Sequence, residues 1–153
     1  MLGINKQFSL SLCITKTVPN KVKSFIWRAY YNAIPTASGL YRRKIIQSPK
    51  CNICSGPWET VGHILIHCKF AKEIWRTSTI KLSFKSLYNL NFDDIIHSVH
   101  SSLNKKDFSL FLCISWSIWN ARNKMIFENI KKDPYQITSC TSNFLLEFQS
   151  AQS

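Results

Sequence analysis

The chain has 153 residues, of which 45% are hydrophobic, and it carries a formal net charge of +12. This hydrophobic content is enough for a folded core and excludes a disordered tail, and the length predicts one domain, or one compact module with an extension. Residues 108–119 form the most apolar run, which at twelve residues is shorter than the roughly 20 needed to span a bilayer. We therefore expect no membrane partner.

The positive charge is concentrated in the first third of the chain. Residues 1–50 contain nine Lys and Arg and no acidic residue, and the first acid is Glu59. A local charge of this size favours a polyanionic partner, of which nucleic acid is the main candidate. A solvated basic face without a specific partner has the same composition, so charge alone does not separate the two interpretations.

Six cysteines are present, and three of them cluster at positions 51, 54 and 68. Residues 1–18 make a poor signal peptide, because Lys6 and Gln7 interrupt the apolar run and no small-residue cleavage site follows. We therefore expect a reducing, intracellular location, nuclear or cytoplasmic, and not secretion. Cys13, Cys113 and Cys140 are interpreted as buried small hydrophobes or bystanders.

The first elements are predicted from hydrophobic periodicity and from helix-breaking residues. Residues 1–18 are an irregular or truncated segment, in which residues 8–12 alternate as a short strand would. Apolar residues then recur at helical spacing from position 20 to Ala33, and Pro35 ends that helix. Thr36 can cap a second helix through about residue 46, with Ile45 facing inward.

Helical patterns also dominate the rest of the chain. Residues 54–58 read as a turn, Thr60 as the N-cap of a helix carrying His63, and residues 77–90 as loop with some short structure. Three further helices are predicted from position 91 or 93 to about 103, from 107 to 129, and from Pro134, capped by Asp133, to about 148.

A metal signature lies between these helices. Cys51 and Cys54 are three apart, and His63, His67 and Cys68 follow, which in a reducing compartment indicates zinc. His63 and His67 are four apart and share a helix face, whereas His63 and Cys68 lie about 140° apart on a regular helix. Cys68 converges on the site only if the helix ends or tightens before it. Thiolate chemistry nevertheless favours Cys68, so we prefer it and keep His67 as the competing ligand.

A complete set of four protein ligands would leave no open position on the metal. The predicted cofactor is therefore one structural zinc ion rather than a catalytic one. The alternative is a group of ordinary buried cysteines and histidines, which the tight spacing disfavours.

Seven spaced segments carry a family pattern: residues 18–27, 33–36, 39–43, 51–54, 59–60, 63–68 and 74–75. Together they resemble the zinc-binding domain of reverse transcriptases, which is common in plant non-LTR (LINE-type) retrotransposons. The resemblance implies that the ligands are Cys51, Cys54, His63 and Cys68. Residues 115–128 are similar to the helix that often follows this domain, ahead of an RNase H-like domain.

The expected fold is mostly α, a small zinc-stapled helical domain with a C-terminal helical extension. We divide the chain into an N-terminal segment (1–18), a reverse transcriptase-like zinc-binding domain (19–78) and a helical extension (79–153). Neither the polymerase nor RNase H fits within this chain, which resembles a remnant or a partial gene product.

No catalytic constellation is predicted, and neither is a small-molecule substrate. Asp93 and Asp94 open a predicted helix, where first-turn acids interact with the helix dipole, and do not resemble the paired aspartates of a polymerase hairpin. His97 and His100 are read as surface or half-buried residues, because no carboxylate and nucleophile accompany them.

Basic residues interleaved with aromatics suit single-stranded RNA or DNA, since bases stack on rings while cations meet phosphates. The nucleic-acid-binding candidates are Lys21, Lys23, Arg28, Arg42, Arg43 and Lys44. We assign the neighbouring rings of Trp27 and Tyr30 to the core instead. The alternative functions are a zinc-stapled scaffold for protein interaction and a retroelement fragment without a selected role.

Overall fold

A computed structural model describes residues 17–152 and shows a helical fold. In chain order the α-helices are α1 (Asn20–Tyr30), α2 (Ala37–Arg42), α3 (Lys69–Thr77), α4 (Phe84–Leu87), α5 (Phe92–Ser102), α6 (Lys105–Glu128) and α7 (Pro134–Gln152). A π-helical turn, His63–His67, precedes α3. Within residues 17–152 there is no strand beyond one isolated bridge between Lys50 and Trp58. The predicted mostly-α class is confirmed, while the alternating residues 8–12 and Cys13 lie outside the described residues.

The starts of the two C-terminal helices follow from their caps. The Asn104 side chain accepts a hydrogen bond from the backbone N–H of Asp107 at 2.8 Å, so α6 begins two residues before the predicted start. Asp133 accepts from the backbone N–H of Gln136 at 3.1 Å, and Pro134 is the first residue of α7. The predicted start of α7 is therefore confirmed, although the helix runs to Gln152 rather than to 148.

The predicted end of α1 is wrong. The helix stops at Tyr30, and Asn32 has a φ of 59°, in the left-handed region that asparagine tolerates. Ala33 is exposed instead of continuing the apolar face.

The predicted end of α2 is wrong as well. The helix stops at Arg42 because Lys44 adopts a left-handed φ of 61°. Ile45, expected to face inward, is 56% exposed. Thr36 caps the helix as predicted, since its hydroxyl accepts from the backbone N–H of Gly39 at 3.2 Å.

Helix α6 runs through the centre of the fold. It packs against α1, α3, α5, α7 and the π-helical turn, and Phe111, Leu112 and Ile114 are completely buried along it. None of the helices between residues 17 and 152 is both long enough and apolar enough to cross a membrane.

One hydrophobic core joins the cysteine-rich part of the chain to the C-terminal helices. The Trp119 ring of α6 stacks on Phe25 of α1 at 6.4 Å between centroids, and Phe111 stacks on Trp75 of α3 at 5.2 Å. Such ring pairs contribute about 0.5–1.5 kcal/mol beyond the area that they bury. The division of the chain at residues 18/19 and 78/79 stays a prediction.

Candidate metal centre

A tight turn brings the first two thiols together. The backbone N–H of Ser55 donates to the carbonyl of Cys51 at 2.9 Å, and the Cys51 N–H donates to the carbonyl of Pro57 at 2.8 Å. Ser55 has a φ of 60°, which lets the chain reverse direction within a few residues. The turn predicted in this region is present, and it places Cys51 and Cys54 on one side of the loop.

The other two donors come from a widened helical turn. The Thr60 hydroxyl accepts from the backbone N–H of His63 at 3.0 Å, as expected for the predicted cap. The Cys68 N–H then donates to the His63 carbonyl at 2.6 Å, an i to i+5 bond that defines a π-helix. The turn therefore widens rather than tightens, and it ends at His67, so the expectation that the helix would end or tighten before Cys68 is confirmed by its end. Widening brings positions five apart to the same side of the helix.

Four donor atoms converge at this point. The ligand atoms of Cys51, Cys54, His63 and Cys68 all lie within 4.8 Å of one another. The Sγ atoms of Cys51 and Cys68 are 3.8 Å apart, and Cys54 Sγ is 3.3 Å from His63 Nε2. Zinc bonds of about 2.3 Å to sulfur and 2.0 Å to nitrogen give tetrahedral edges of about 3.8 Å and 3.5 Å. The cluster therefore suits one zinc ion in both donor chemistry and size.

The two buried thiols of the cluster lie within hydrogen-bond distance, with 3.8 Å between their Sγ atoms. The hydrogen bond from Cys68 lowers the pKa of the Cys51 thiol, while burial opposes that shift. The same hydrogen bond, followed by burial, raises the pKa of the Cys68 thiol. Zinc binds thiolates, so a bound ion would displace the protons of these thiols and release them to solvent.

His67 lies outside the donor cluster. Its Nε2 is 3.0 Å from the backbone carbonyl of Leu87, and its ring packs edge-on against Tyr88 at 6.2 Å between centroids. Burial lowers the pKa of His67, which favours a neutral ring donating to that carbonyl. The structure therefore brings Cys68, and not His67, to the other three donors.

A buried ion pair beside this centre was not predicted. Glu59 is 0% exposed, and its Oε1 accepts from Arg122 Nη2 at 2.6 Å while its Oε2 accepts from Arg122 Nε at 3.0 Å. Oε1 also accepts from the backbone N–H of Ala37 at 2.6 Å, at the start of α2. The carboxylate thus joins α2, the segment before the π-helical turn, and α6.

The sequence held two signals for this pair, although neither identifies a partner. Glu59 falls within the family pattern, and Arg122 interrupts the apolar face of the longest helix. In the fold the Arg122 guanidinium lies over the Trp119 ring at 4.6 Å and donates to the Asn123 side chain at 2.8 Å. These contacts satisfy a cation that would otherwise be costly to bury.

The six basic nucleic-acid candidates occupy different surroundings. Arg42, Arg43 and Lys44 are exposed together at the end of α2. Lys21 is also exposed, but its ammonium lies over the rings of Trp116 and Phe144 at 5.1 and 4.8 Å, which holds it against α6 and α7.

The other two candidates lie on α1. Arg28 is exposed in the last turn of that helix. Lys23 is half-buried, and its Nζ is 3.4 Å from the Asn20 side-chain oxygen. The described structure therefore gathers Arg42, Arg43 and Lys44 in one place, and it gives the remaining candidates separate local environments.

Comparison with known families agrees with this geometry. Residues 3–75 match the family described as zinc-binding in reverse transcriptase. This part of the chain is similar to that family. The match includes all four clustered donors and Glu59, and it confirms the resemblance seen in the sequence.

A curated relative extends the comparison beyond residues 3–75. The putative ribonuclease H protein At1g65750 of Arabidopsis thaliana is 30% identical over 127 residues, which cover 78% of this chain and 20% of the relative. The chain therefore spans about a fifth of the length of that relative. This plant relative and the family match agree with the predicted relationship to retrotransposons. No solved structure matches the chain.

Proposed function

We propose that Cys51, Cys54, His63 and Cys68 bind one structural zinc ion. The convergence of their donor atoms at tetrahedral spacing carries this assignment. Four protein ligands would leave the metal no open position for a substrate or an activated water. The zinc ion would therefore connect the cysteine turn to the π-helical turn without taking part in a reaction.

We further propose that this zinc module binds RNA or DNA through a basic surface. Residues 17–72 contain nine Lys and Arg and one acid, Glu59, which is buried and paired with Arg122. The surface that this segment contributes therefore carries no exposed carboxylate. Such a surface attracts a polyanion and releases counterions from it on binding.

Within this surface the six candidates have different roles in the proposal. Arg42, Arg43 and Lys44 are the strongest contacts, because they are exposed and adjacent. Arg28 adds a charge at the end of α1. Lys21 and Lys23 are the remaining candidates and contribute to the electrostatic field, although each has a local contact of its own.

The wider setting is also part of the proposal. We infer an origin in a LINE-type retrotransposon, a non-catalytic role for these residues, an intracellular location and no small-molecule substrate. Support comes from the family match to a zinc-binding domain, the plant relative named as a putative ribonuclease H protein, and the reduced thiols that zinc requires.

Nucleic-acid binding is tested by removing the three adjacent charges. Arg42→Ala, Arg43→Ala and Lys44→Ala together are expected to weaken binding of a labelled RNA or DNA oligonucleotide and to reduce its salt dependence. The matched control replaces Lys105, Lys106 and Lys131, three exposed lysines outside residues 17–72, with alanine. It has the same net charge as the first variant. Equal affinity of the wild type and the first variant would contradict the proposal.

A second candidate function is a zinc-stapled scaffold for protein interaction. Exposed apolar side chains near the α6–α7 connection favour it, since Phe127 is 75% exposed, Tyr135 69% and Ile130 44%. A groove of about 610 Å³ lies between the same helices. Zinc-dependent folding without measurable nucleic-acid affinity at low salt would select this alternative.

A further inference from the structure

A second groove lies directly beside the zinc-binding residues. It has a volume of about 780 Å³ and is lined by the end of α1, by the segment around residues 57–63 and by residues 88–93. Volumes of about 300–1,000 Å³ are typical of sites that enclose a ligand. We call this cavity the aromatic groove, because Tyr31, Trp58 and Tyr88 contribute to its lining.

The three aromatic residues of the aromatic groove are exposed to solvent. Tyr31 is 52% exposed, Trp58 46% and Tyr88 69%. Single exposed aromatics are ordinary in folded proteins, but three that line one concave surface can serve together as a stacking platform. Such a platform is expected where a flat, partly apolar ligand binds.

Neighbouring rings hold this platform in place. Each groove ring packs on a second aromatic side chain, and the pairs with their centroid distances are Tyr31 with Trp27 (5.7 Å), Trp58 with Tyr41 (5.7 Å) and Tyr88 with His67 (6.2 Å). The rings of the first pair are stacked and nearly parallel, with 7° between their planes. Rings fixed in this way lose little conformational entropy when a ligand stacks on them.

The charges around the aromatic groove favour an anionic ligand. Arg42 and Lys72 line it, and Asp93 is the single carboxylate among the lining residues. Asp93 lies in the first turn of α5, where the helix dipole offsets its charge. The surrounding segment, residues 17–72, adds further cations and no exposed acid.

We propose that the aromatic groove binds single-stranded RNA or DNA, with bases stacked on Tyr31, Trp58 and Tyr88 and phosphates near Arg42 and Lys72. This inference rests on the proposed nucleic-acid function and adds the strand type and the contact mode. Bases of a duplex are already stacked inside the helix, so their faces do not reach rings that lie in a concave site. Stacking tolerates any base, because every base has a π-face.

The test compares two aromatic double variants of equal charge. Trp58→Ala/Tyr88→Ala removes two groove rings, and Phe127→Ala/Tyr135→Ala removes two rings of similar exposure outside the groove. Anisotropy titrations use single-stranded RNA, single-stranded DNA and duplex DNA of about 12 nucleotides per strand. The groove variant is expected to bind both single strands at least about tenfold more weakly, with an unchanged salt slope and little change for the duplex.

Conservative replacements keep a failure of folding distinct from a loss of stacking. Trp58→Phe/Tyr88→Phe retains both rings and is expected to restore most of the single-strand affinity. Zinc content and helical circular dichroism are measured for every variant.

The outcomes also separate this inference from the proposed function. One outcome is that Trp58→Ala/Tyr88→Ala leaves the single-strand affinity unchanged while the Arg42, Arg43 and Lys44 triple variant reduces it. That outcome would overturn the aromatic groove as the binding site and leave the proposed function standing. A wild-type protein that binds neither strand type at low salt would overturn both. Equal losses for single-stranded and duplex probes would contradict stacking as the contact mode.

Discussion

At the scale of single residues, Glu59 and Arg122 form a buried ion pair in which each charge depends on the other. The two side chains are 0% and 5% exposed, so neither charge has water to stabilise it. Their two hydrogen bonds, with that from the Ala37 N–H, replace this solvation only while both partners are present. Losing one partner would leave an uncompensated charge in the core.

We expect Glu59→Gln or Arg122→Met alone to lower the free energy of unfolding by about 3–5 kcal/mol, and the double variant to cost less than the sum. Urea unfolding of the zinc-loaded protein measures all three changes. The control pair, Lys124 and Glu128, is exposed with 3.7 Å between its charged atoms, and its truncation should cost at most about 0.5 kcal/mol. Strictly additive costs for Glu59 and Arg122 would contradict the coupling.

The two described cysteines outside the metal cluster differ in reactivity. Cys113 is completely buried in α6, and burial raises its pKa to about 12, whereas Cys140 is exposed on α7. At pH 8 we expect an alkylating reagent to modify Cys140 quickly and Cys113 only after unfolding. Mass spectrometry of peptides from the native protein distinguishes them, and equal labelling rates would contradict the packing of α6.

The raised pKa of Cys113 also has a consequence for stability. The folded state favours the protonated form of this thiol. The contribution of Cys113 to the free energy of unfolding is therefore fully present below about pH 9, the ordinary pKa of a cysteine thiol, and is lost as the pH rises toward 12.

At the scale of elements, the starts of the long helices were predictable and the ends of α1 and α2 were not. Helices α6 and α7 have long apolar periods and strong caps at Asn104 and Asp133, so their starts are recognisable to within two residues. Helices α1 and α2 instead end at left-handed residues, Asn32 and Lys44. A lysine in that conformation has no signature in the sequence.

The π-helical turn shows why regular helical spacing alone does not predict the four donors. A regular helix places His63 and His67 on one face, whereas the observed i to i+5 bond selects Cys68. The indole N–H of Trp75 donates to the Leu65 carbonyl at 2.8 Å, satisfying a group within the widened turn. The family resemblance points to the same residue, and in the structure Cys68 lies with the other three donors.

The ion pair of Glu59 and Arg122 lay beyond local reasoning for a different reason. Its partners are 63 positions apart, and no periodicity links a residue before one helix to a residue inside another. An arginine on an apolar helix face does predict a buried acceptor, which only the tertiary fold identifies.

Removing zinc should loosen the metal-binding segment before the helical core. We expect chelation to speed hydrogen exchange at amides of Cys51, Glu59 and Cys68, whose backbone bonds depend on the two turns. Amides near Phe111 in α6 should stay protected, because the surrounding core is completely buried. If chelation leaves hydrogen exchange across residues 51–68 unchanged, the expectation that this segment loosens before the core is wrong.

At the scale of the whole molecule, the core and the basic surface belong to different parts of the chain. Helix α6 supplies the centre of the core. Residues 17–72 supply cations and no exposed acid. The cysteine turn and the π-helical turn lie in that basic part of the chain, and the Glu59 carboxylate connects it to α6. A zinc ion at the donor cluster would therefore keep the basic surface and the aromatic groove in a fixed relation to the core.

The central claim is that one zinc ion, held by Cys51, Cys54, His63 and Cys68, stabilises this fold. Metal quantification combined with thermal unfolding tests this claim most directly. The wild type should contain one zinc per chain, and chelation should lower its melting temperature. His67→Ala should retain zinc, whereas Cys51→Ser and His63→Ala should lose it and melt as the chelated wild type does. Retention of zinc by His63→Ala together with its loss from His67→Ala, or a melting temperature insensitive to chelation, would contradict the assignment.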